Sequence, residues 1–343
     1  MDRNRNRTVT TGRLGLAAGA AAVLAAGLVA AGPAGPAGAT TARTSAFVAG
    51  DTLIVTGSSA SESVTLRLAP GDDDTLEVDV GNDGSADHSF DRATFSAIGV
   101  FLRSGNDQFR VDQVNGPFAD ERLTVDGGSG NDTLDGGDGT ELFLGGSGND
   151  AVDGNRGNDT GALGSGHDSF RWDPGDGSDV VEGAGGTDTL DFNGAAVNEI
   201  MSLSAEGGRA VFLRDVAGIR MDTDGVERLD LTALGGTDAM TVGDLRGTDI
   251  RLANVDLSSP TGGGDGVSDT VTVTGTDRAD RIDVDADDAV VEVSGLRAAV
   301  DIPGADTIDV LRIDARGGDD RVAVAQAARD LMTVNVDLGS GQA

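Results

Sequence analysis

Seven acidic residues recur at a spacing that could hold a hard metal ion. From Gly127 the chain divides into units of nine, GGSGNDTLD, GGDGTELFL, GGSGNDAVD, GNRGNDTGA and LGSGHDSFR. After the inserted pair Trp172 and Asp173 come PGDGSDVVE and GAGGTDTLD. Position six is Asp132, Glu141, Asp150, Asp159, Asp168, Asp179 and Asp188 in turn. Position eight is apolar in six of the seven units, at Leu134, Phe143, Val152, Phe170, Val181 and Leu190, with Gly161 as the exception. The chain has no Cys and two His, so the available chemistry is coordination by oxygen. Carboxylates stacked one strand spacing apart, roughly 4.8 Å, repel each other unless a cation lies between them. Calcium accepts six to eight oxygens in flexible geometry, whereas magnesium demands a tight octahedron and releases water reluctantly. Calcium is therefore the expected ion.

The elements that must position these side chains follow from the two halves of the unit. The first six residues are rich in Gly, which tolerates positive φ and lets carbonyls turn toward a shared point, so Gly128, Gly130, Gly146 and Gly148 are the expected carbonyl donors. The last three, such as Thr133-Leu134-Asp135, suit one short strand with its middle side chain pointing inward. Two units make one coil. Stacked coils pair their strands in parallel and align Leu134, Val152, Phe170 and Leu190. Asp132, Asp150, Asp168 and Asp188 then fall on one edge, and Glu141, Asp159 and Asp179 on the other. A flexible acidic linker is the plain alternative, but it has no reason to keep an apolar residue at every ninth place.

GGSGNDTLD at 127 and GGSGNDAVD at 145 resemble the hemolysin-type, or RTX, calcium-binding nonapeptide repeat. The resemblance covers positions 127–191 of the chain. It implies a parallel β-roll in which the position-six Asp of one turn and that of the turn one coil later share a calcium ion with backbone carbonyls. Asp132, Asp150, Asp159, Asp168, Asp179 and Asp188 match the family residue. Glu141 and Thr140 depart from it, so the turn at 136–141 is expected to bind more weakly. Gly161 and Arg156 are further departures in the second row. Many members are exported through a C-terminal signal, whereas this chain carries an N-terminal one.

That leader comprises Arg3, Arg5, Arg7 and Arg13, an uncharged run from Leu14 to Ala31, and Ala37-Gly38-Ala39. It reads as a signal peptide over 1–39, cleaved near Ala39, and hence as a secreted, extracellular protein, free or held at the cell surface. A membrane anchor is the competing reading. A run made mostly of Ala and Gly lacks the dense Leu/Ile core an anchor needs, so no membrane insertion is expected after cleavage. Segments 40–126 and 266–343 look like two copies of one β-rich module: DTLIVTG at 51 resembles DTVTVTG at 269, and GNDQFRV at 105 resembles GDDRVAV at 318. The segment 192–265 also reads as strands, at Arg209–Val216, Arg228–Thr232 and Ala239–Val242. The fold class is all-β, a parallel β-roll or β-solenoid at 127–191 flanked by β-rich repeat modules.

Composition narrows the function. The 343 residues carry 58 acidic and 25 basic side chains, a formal charge of −33, which excludes phosphate-backbone partners such as nucleic acid. Every basic residue is Arg, so no Lys offers Schiff-base chemistry, and no thiolate exists. Neither HExxH nor GxSxG occurs, and His167 sits at a variable turn position, expected in solvent. Trp172 with Pro174 is expected to terminate or offset the roll. The function expected is a non-enzymatic, calcium-binding structural or adhesive protein, with calcium ions and a cell-wall or matrix polymer as partners. The alternative is a polysaccharide-acting extracellular enzyme with the roll as scaffold, poorly served by aromatics at 3 % of residues.

Overall fold

The computed structural model describes residues 44–339, and the leader read at 1–39 lies outside the described residues. Two sheets of 14 strands each run through the described chain. Within the nonapeptide block each coil gives one strand to each. Sheet one takes Arg122–Ser129, Glu141–Ser147, Thr160–Gly166 and Val180–Gly186 in parallel. Sheet two takes Thr133–Asp135, Ala151–Asp153, Ser169–Trp172 and Thr189–Asn193. The register fixes the coil length. Ala151 pairs with Thr133 and Ser169, two units away on either side, and Ser169 then pairs with Thr189, the step lengthened by the inserted pair.

Alternation places the core between the sheets. Leu134, Val152, Phe170 and Leu190 are neighbours across sheet two and are buried, as are Val125, Phe143 and Val181 across sheet one. The departure at Gly161 has a packing cause: a Cβ there would come within 2.7 Å of the Phe170 ring. The smallest residue and a large ring share one layer. Gly161→Val should therefore cost roughly 1–3 kcal/mol by overpacking, read as a lower urea midpoint with an unchanged m-value. A stability equal to the parent would show that Phe170 can move aside.

Trp172 does not terminate the roll. Its strand continues into Thr189–Asn193 and that strand into Arg228–Thr232, so the coils go on past it. The indole is fully buried and stacks on Phe192 with centroids 4.1 Å apart, and Phe192 meets Phe212 at 4.4 Å. Its N–H donates to Gly177 O at 2.8 Å, which ties down the turn holding the two extra residues. The insertion offsets the step, and the ring fills the widened coil.

Beyond the block the sheets continue but the coils become irregular. In sheet one a single strand is replaced by an antiparallel meander of Ile200–Glu206, Arg209–Arg214 and Ile219–Asp224. The middle strand ends at Arg214, two residues before the expected Val216, because Asp215 turns the chain there. Sheet two carries a second meander of Arg281–Asp287, Val290–Ser294 and Ala299–Ile302. Parallel pairing resumes at Ala239–Val242, Thr270–Thr274, Val310–Asp314 and Thr333–Asp337. At the N-terminal end a hairpin, Ser45–Ala49 with Thr52–Thr56, closes sheet one, and a meander ending in His88–Asp91 closes sheet two. The exposed Asp72, Asp73 and Asp74 on that meander put charge close to the outermost strand of the sheet, which disfavours pairing with another chain. A short helix, Gln326–Leu331, follows strand Arg321–Val324.

Candidate metal centre

Each position-six Asp stands immediately before a strand and Glu141 opens its own, and the inward position two places later is apolar in every unit except that of Asp159, where it is Gly161. The backbone N–H and the carboxylate of each acid therefore both face the adjoining coils. On the edge that opens sheet two, the N–H of Asp132 donates to Asp150 Oδ1 at 2.8 Å, Asp150 to Asp168 at 2.8 Å, and Asp168 to Asp188 at 3.0 Å. On the opposite edge Glu141 donates to Asp159 and Asp159 to Asp179, both at 2.8 Å. The structure thus brings the expected acids together in the two rows that the nine-residue register implies.

A second row runs the other way at position five. Asn149 N–H donates to Asn131 Oδ1 at 2.8 Å, His167 N–H to Asn149 at 2.9 Å, and Thr187 N–H to His167 Nδ1 at 3.1 Å. His167, exposed as expected, stands in for the amide of Asn. Each Asn-Asp pair therefore clips its coil to both neighbours without any ion.

What the clip leaves over is the second carboxylate oxygen. Oδ2 of Asp132, Asp150, Asp159, Asp168 and Asp188 is buried and has no hydrogen-bond partner. An ionised buried oxygen with no donor is costly, and either a proton or a cation must answer it. Burial pushes the row carboxyls above the usual carboxylate range, Asp150 and Asp188 to about 6 and Asp179, whose second oxygen is not among the orphans, to about 7, with repulsion from neighbouring carboxylates adding to it in all three. Asp159 is raised as well, by burial first and by Glu141 and Asp179 beside it.

Glycine makes the surroundings of these oxygens narrow and oxygen-rich. A Cβ on Gly127 would lie 2.5 Å from Asp132 Oδ2 and 2.8 Å from Gly145 O of the next coil. At Gly145, Gly154 and Gly183 it would come within 2.5–2.7 Å of the Oδ2 of Asp150, Asp159 and Asp188. Gly128, Gly130, Gly146 and Gly148 all have positive φ, and a side chain on Gly146 or Gly148 would overlap the carbonyl oxygen of Gly128 or Gly130 one coil earlier. The carbonyls of these glycines stack coil over coil in two columns. Among the described residues no three His, Cys, Asp or Glu side chains gather in ligand geometry. A cation held here takes most of its donors from backbone carbonyls, a set suited to a hard ion of flexible coordination.

Four turns satisfy their carboxylate from within instead. The N–H four residues earlier donates to it: Ser58 to Glu62 at 3.1 Å, Gly137 to Glu141 at 3.4 Å, Ala195 to Glu199 at 2.9 Å and Thr276 to Asp280 at 2.6 Å. The extra methylene lets Glu141 reach back over its own turn. Glu141→Asp should return that turn to the pattern of Asp132 and Asp150, raising calcium uptake or tightening it by up to ~10-fold in a calorimetric titration. A marked weakening would mean that Glu141 is itself a preferred ligand.

The rows extend past the nonapeptides. Asp107 Oδ1 accepts Glu62 N–H at 2.7 Å, and its own N–H donates to Asp132 at 2.8 Å. Asp188 N–H donates to Glu227 at 2.9 Å. A separate row links Glu199, Asp238, Asp269 and Asp309, and another links Asp280 to Asp320. The signal was an acid followed two places on by an inward aliphatic or aromatic residue. It survives at Asp107-Gln108-Phe109 and Asp238-Ala239-Met240, where the nine-residue period does not. Against known proteins, the chain matches no protein-family model and no curated sequence.

Proposed function

We propose that this chain is a secreted calcium-binding protein with a structural or adhesive role, in which calcium fastens successive coils between the position-six acids and the glycine carbonyls. The observation that carries this reading is the repeated buried Oδ2 without a partner, at Asp132, Asp150, Asp159, Asp168 and Asp188. A merely structural Asn-Asp clip uses only one oxygen of each carboxylate. An amide would serve that clip as well as an acid, so the charge itself calls for a counterion. The leader supports export into a medium where calcium is abundant, and among the described residues no helix is long and apolar enough to cross a membrane.

Calorimetric titration with calcium and magnesium, on the parent and on Asp150→Asn, tests this. Saturable calcium uptake with Kd of roughly 10⁻⁴–10⁻³ M and much weaker magnesium uptake are expected. Asp150 lies between Asp132 and Asp168, so its substitution should weaken more than one site, since each turn faces two coils. Absence of calcium uptake would refute the proposal, and loss of a single independent ion would refute the shared row.

A further inference from the structure

We propose that a hard-cation site also exists outside the nonapeptide block, centred on the Asp238 carboxylate and the backbone carbonyls of its turn, with the charges of Asp269 and the loop residue Asp265 beside it and calcium as its ion. It rests on the reading of the unpartnered carboxylate oxygen as a cation ligand, but it lies outside residues 127–191. Asp238 is 3 % exposed, its Oδ1 accepts Glu199 N–H at 2.8 Å, and its Oδ2 is buried with no hydrogen-bond partner. Its own N–H donates to Oδ1 of the buried Asp269 at 2.8 Å, which holds the two carboxyl groups on adjacent coils.

The third acid comes from the excursion between Asp256 and Asp269. Asp265 Oδ1 accepts Val267 N–H at 2.8 Å, and its Oδ2 lies 3.2 Å from where a Cβ on Gly235 would stand, at the mouth of the Asp238 turn. Gly235 and Gly236 both have positive φ, which turns the carbonyls of that short loop as in the repeat turns. The nearest buried cation, Arg214, is already paired with Glu199 one coil earlier. Asp238 therefore keeps its unpartnered oxygen with the charges of Asp269 and Asp265 near its turn and without a basic partner of its own. A divalent ion of flexible coordination answers that charge, and carbonyls complete the set. Gly235-Gly236-Thr237-Asp238 repeats the string Gly185-Gly186-Thr187-Asp188 and reads as a degenerate calcium turn, but the 31 residues from Asp238 to Asp269 hide their pairing from a nine-residue register.

Calcium chloride titration of the full chain, followed by calorimetry and by hydrogen–deuterium exchange, tests the site. Asp238→Asn keeps an acceptor for Glu199 N–H while removing the charge, and Asp265→Asn changes only a loop side chain. Each variant should bind about one ion fewer than the parent. Calcium should also slow exchange by ~10-fold or more in 233–239 and 264–270 of the parent, and that slowing should vanish in both variants. If Asp238→Asn does not fold, Asp265→Asn and the parent's exchange decide the matter. Unchanged ion counts in the folded variants, or protection confined to 127–191, would overturn this site and leave the repeat sites standing. A parent that takes up no calcium would overturn both.

Discussion

Chelating divalent cations at about pH 8 should unfold much of the stacked sheet structure, and lowering the pH to about 5 without returning the metal should restore part of it. The sign follows from the buried acids. Asp150, Asp188 and Asp269 have their protonation raised to about 6, and Asp179 and Asp238 to about 7, from a value of 3.8 outside the fold. The folded chain thus holds more protons than the unfolded one between these limits. Without a cation, this contribution to stability is complete below about pH 4 and is lost as the pH rises through 6 and 7. On the proposed reading calcium replaces the proton. At 10–100 times Kd each site adds roughly 1.4–2.7 kcal/mol, so several sites together rival the stability of an ordinary domain. Thermal melts followed by circular dichroism, at both pH values with calcium or with chelator, give four midpoints. The chelated midpoint should fall by ~10 °C or more between pH 5 and 8, and the calcium-loaded midpoint should hold or rise. A chelated protein equally stable at both would mean that the carboxyl oxygens are answered in some other way.

Arg214→Met should be the most damaging single substitution away from the acid rows. Arg214 pairs with Glu199 in the protein interior, its side chain 3 % exposed and that of Glu199 fully buried. The guanidinium also lies 5.2 Å from the Trp172 ring centroid and donates to Val216 O at 3.3 Å. At the head of a row, this arginine supplies Glu199 with the counter-charge that the unpartnered oxygens of the aspartates lack. Its removal leaves a buried carboxylate without a counter-charge, at a cost of roughly 3–5 kcal/mol in urea unfolding. Glu199→Gln combined with Arg214→Met should recover most of that loss, because no charge is then stranded. A loss below about 1 kcal/mol in the single variant would show that Glu199 finds another partner.

Much of the centre was legible because period and chemistry coincide over residues 127–191. The nine-residue spacing put Asp132, Asp150, Asp168 and Asp188 on one edge, and alternation put Leu134, Val152, Phe170 and Leu190 inside. Gly161 read as a flaw because the pattern holds no record of the ring opposite it. Trp172 with Pro174 read as a stop or an offset, because an insertion in a repeat looks like either. The stacked Phe192 and Phe212 are what turn it into a wider coil. The antiparallel meanders had a local signal in Gly207-Gly208, both with positive φ between alternating strands, yet that pair says nothing about which sheet the hairpin joins.

The sequence by itself determined the repeat, its edges of carboxylate and its apolar interior, since each depends on a spacing of one or two units along one chain. Only the tertiary structure decided which oxygens are left without a donor and which are answered from within. The difference between Asp150 and Glu199 lies in what the neighbouring coil and a distant arginine place beside an otherwise similar carboxylate. Those neighbours come from strands well separated along the chain, as where Val180 pairs with Asp222 across an entire inserted hairpin, and no local pattern records that separation.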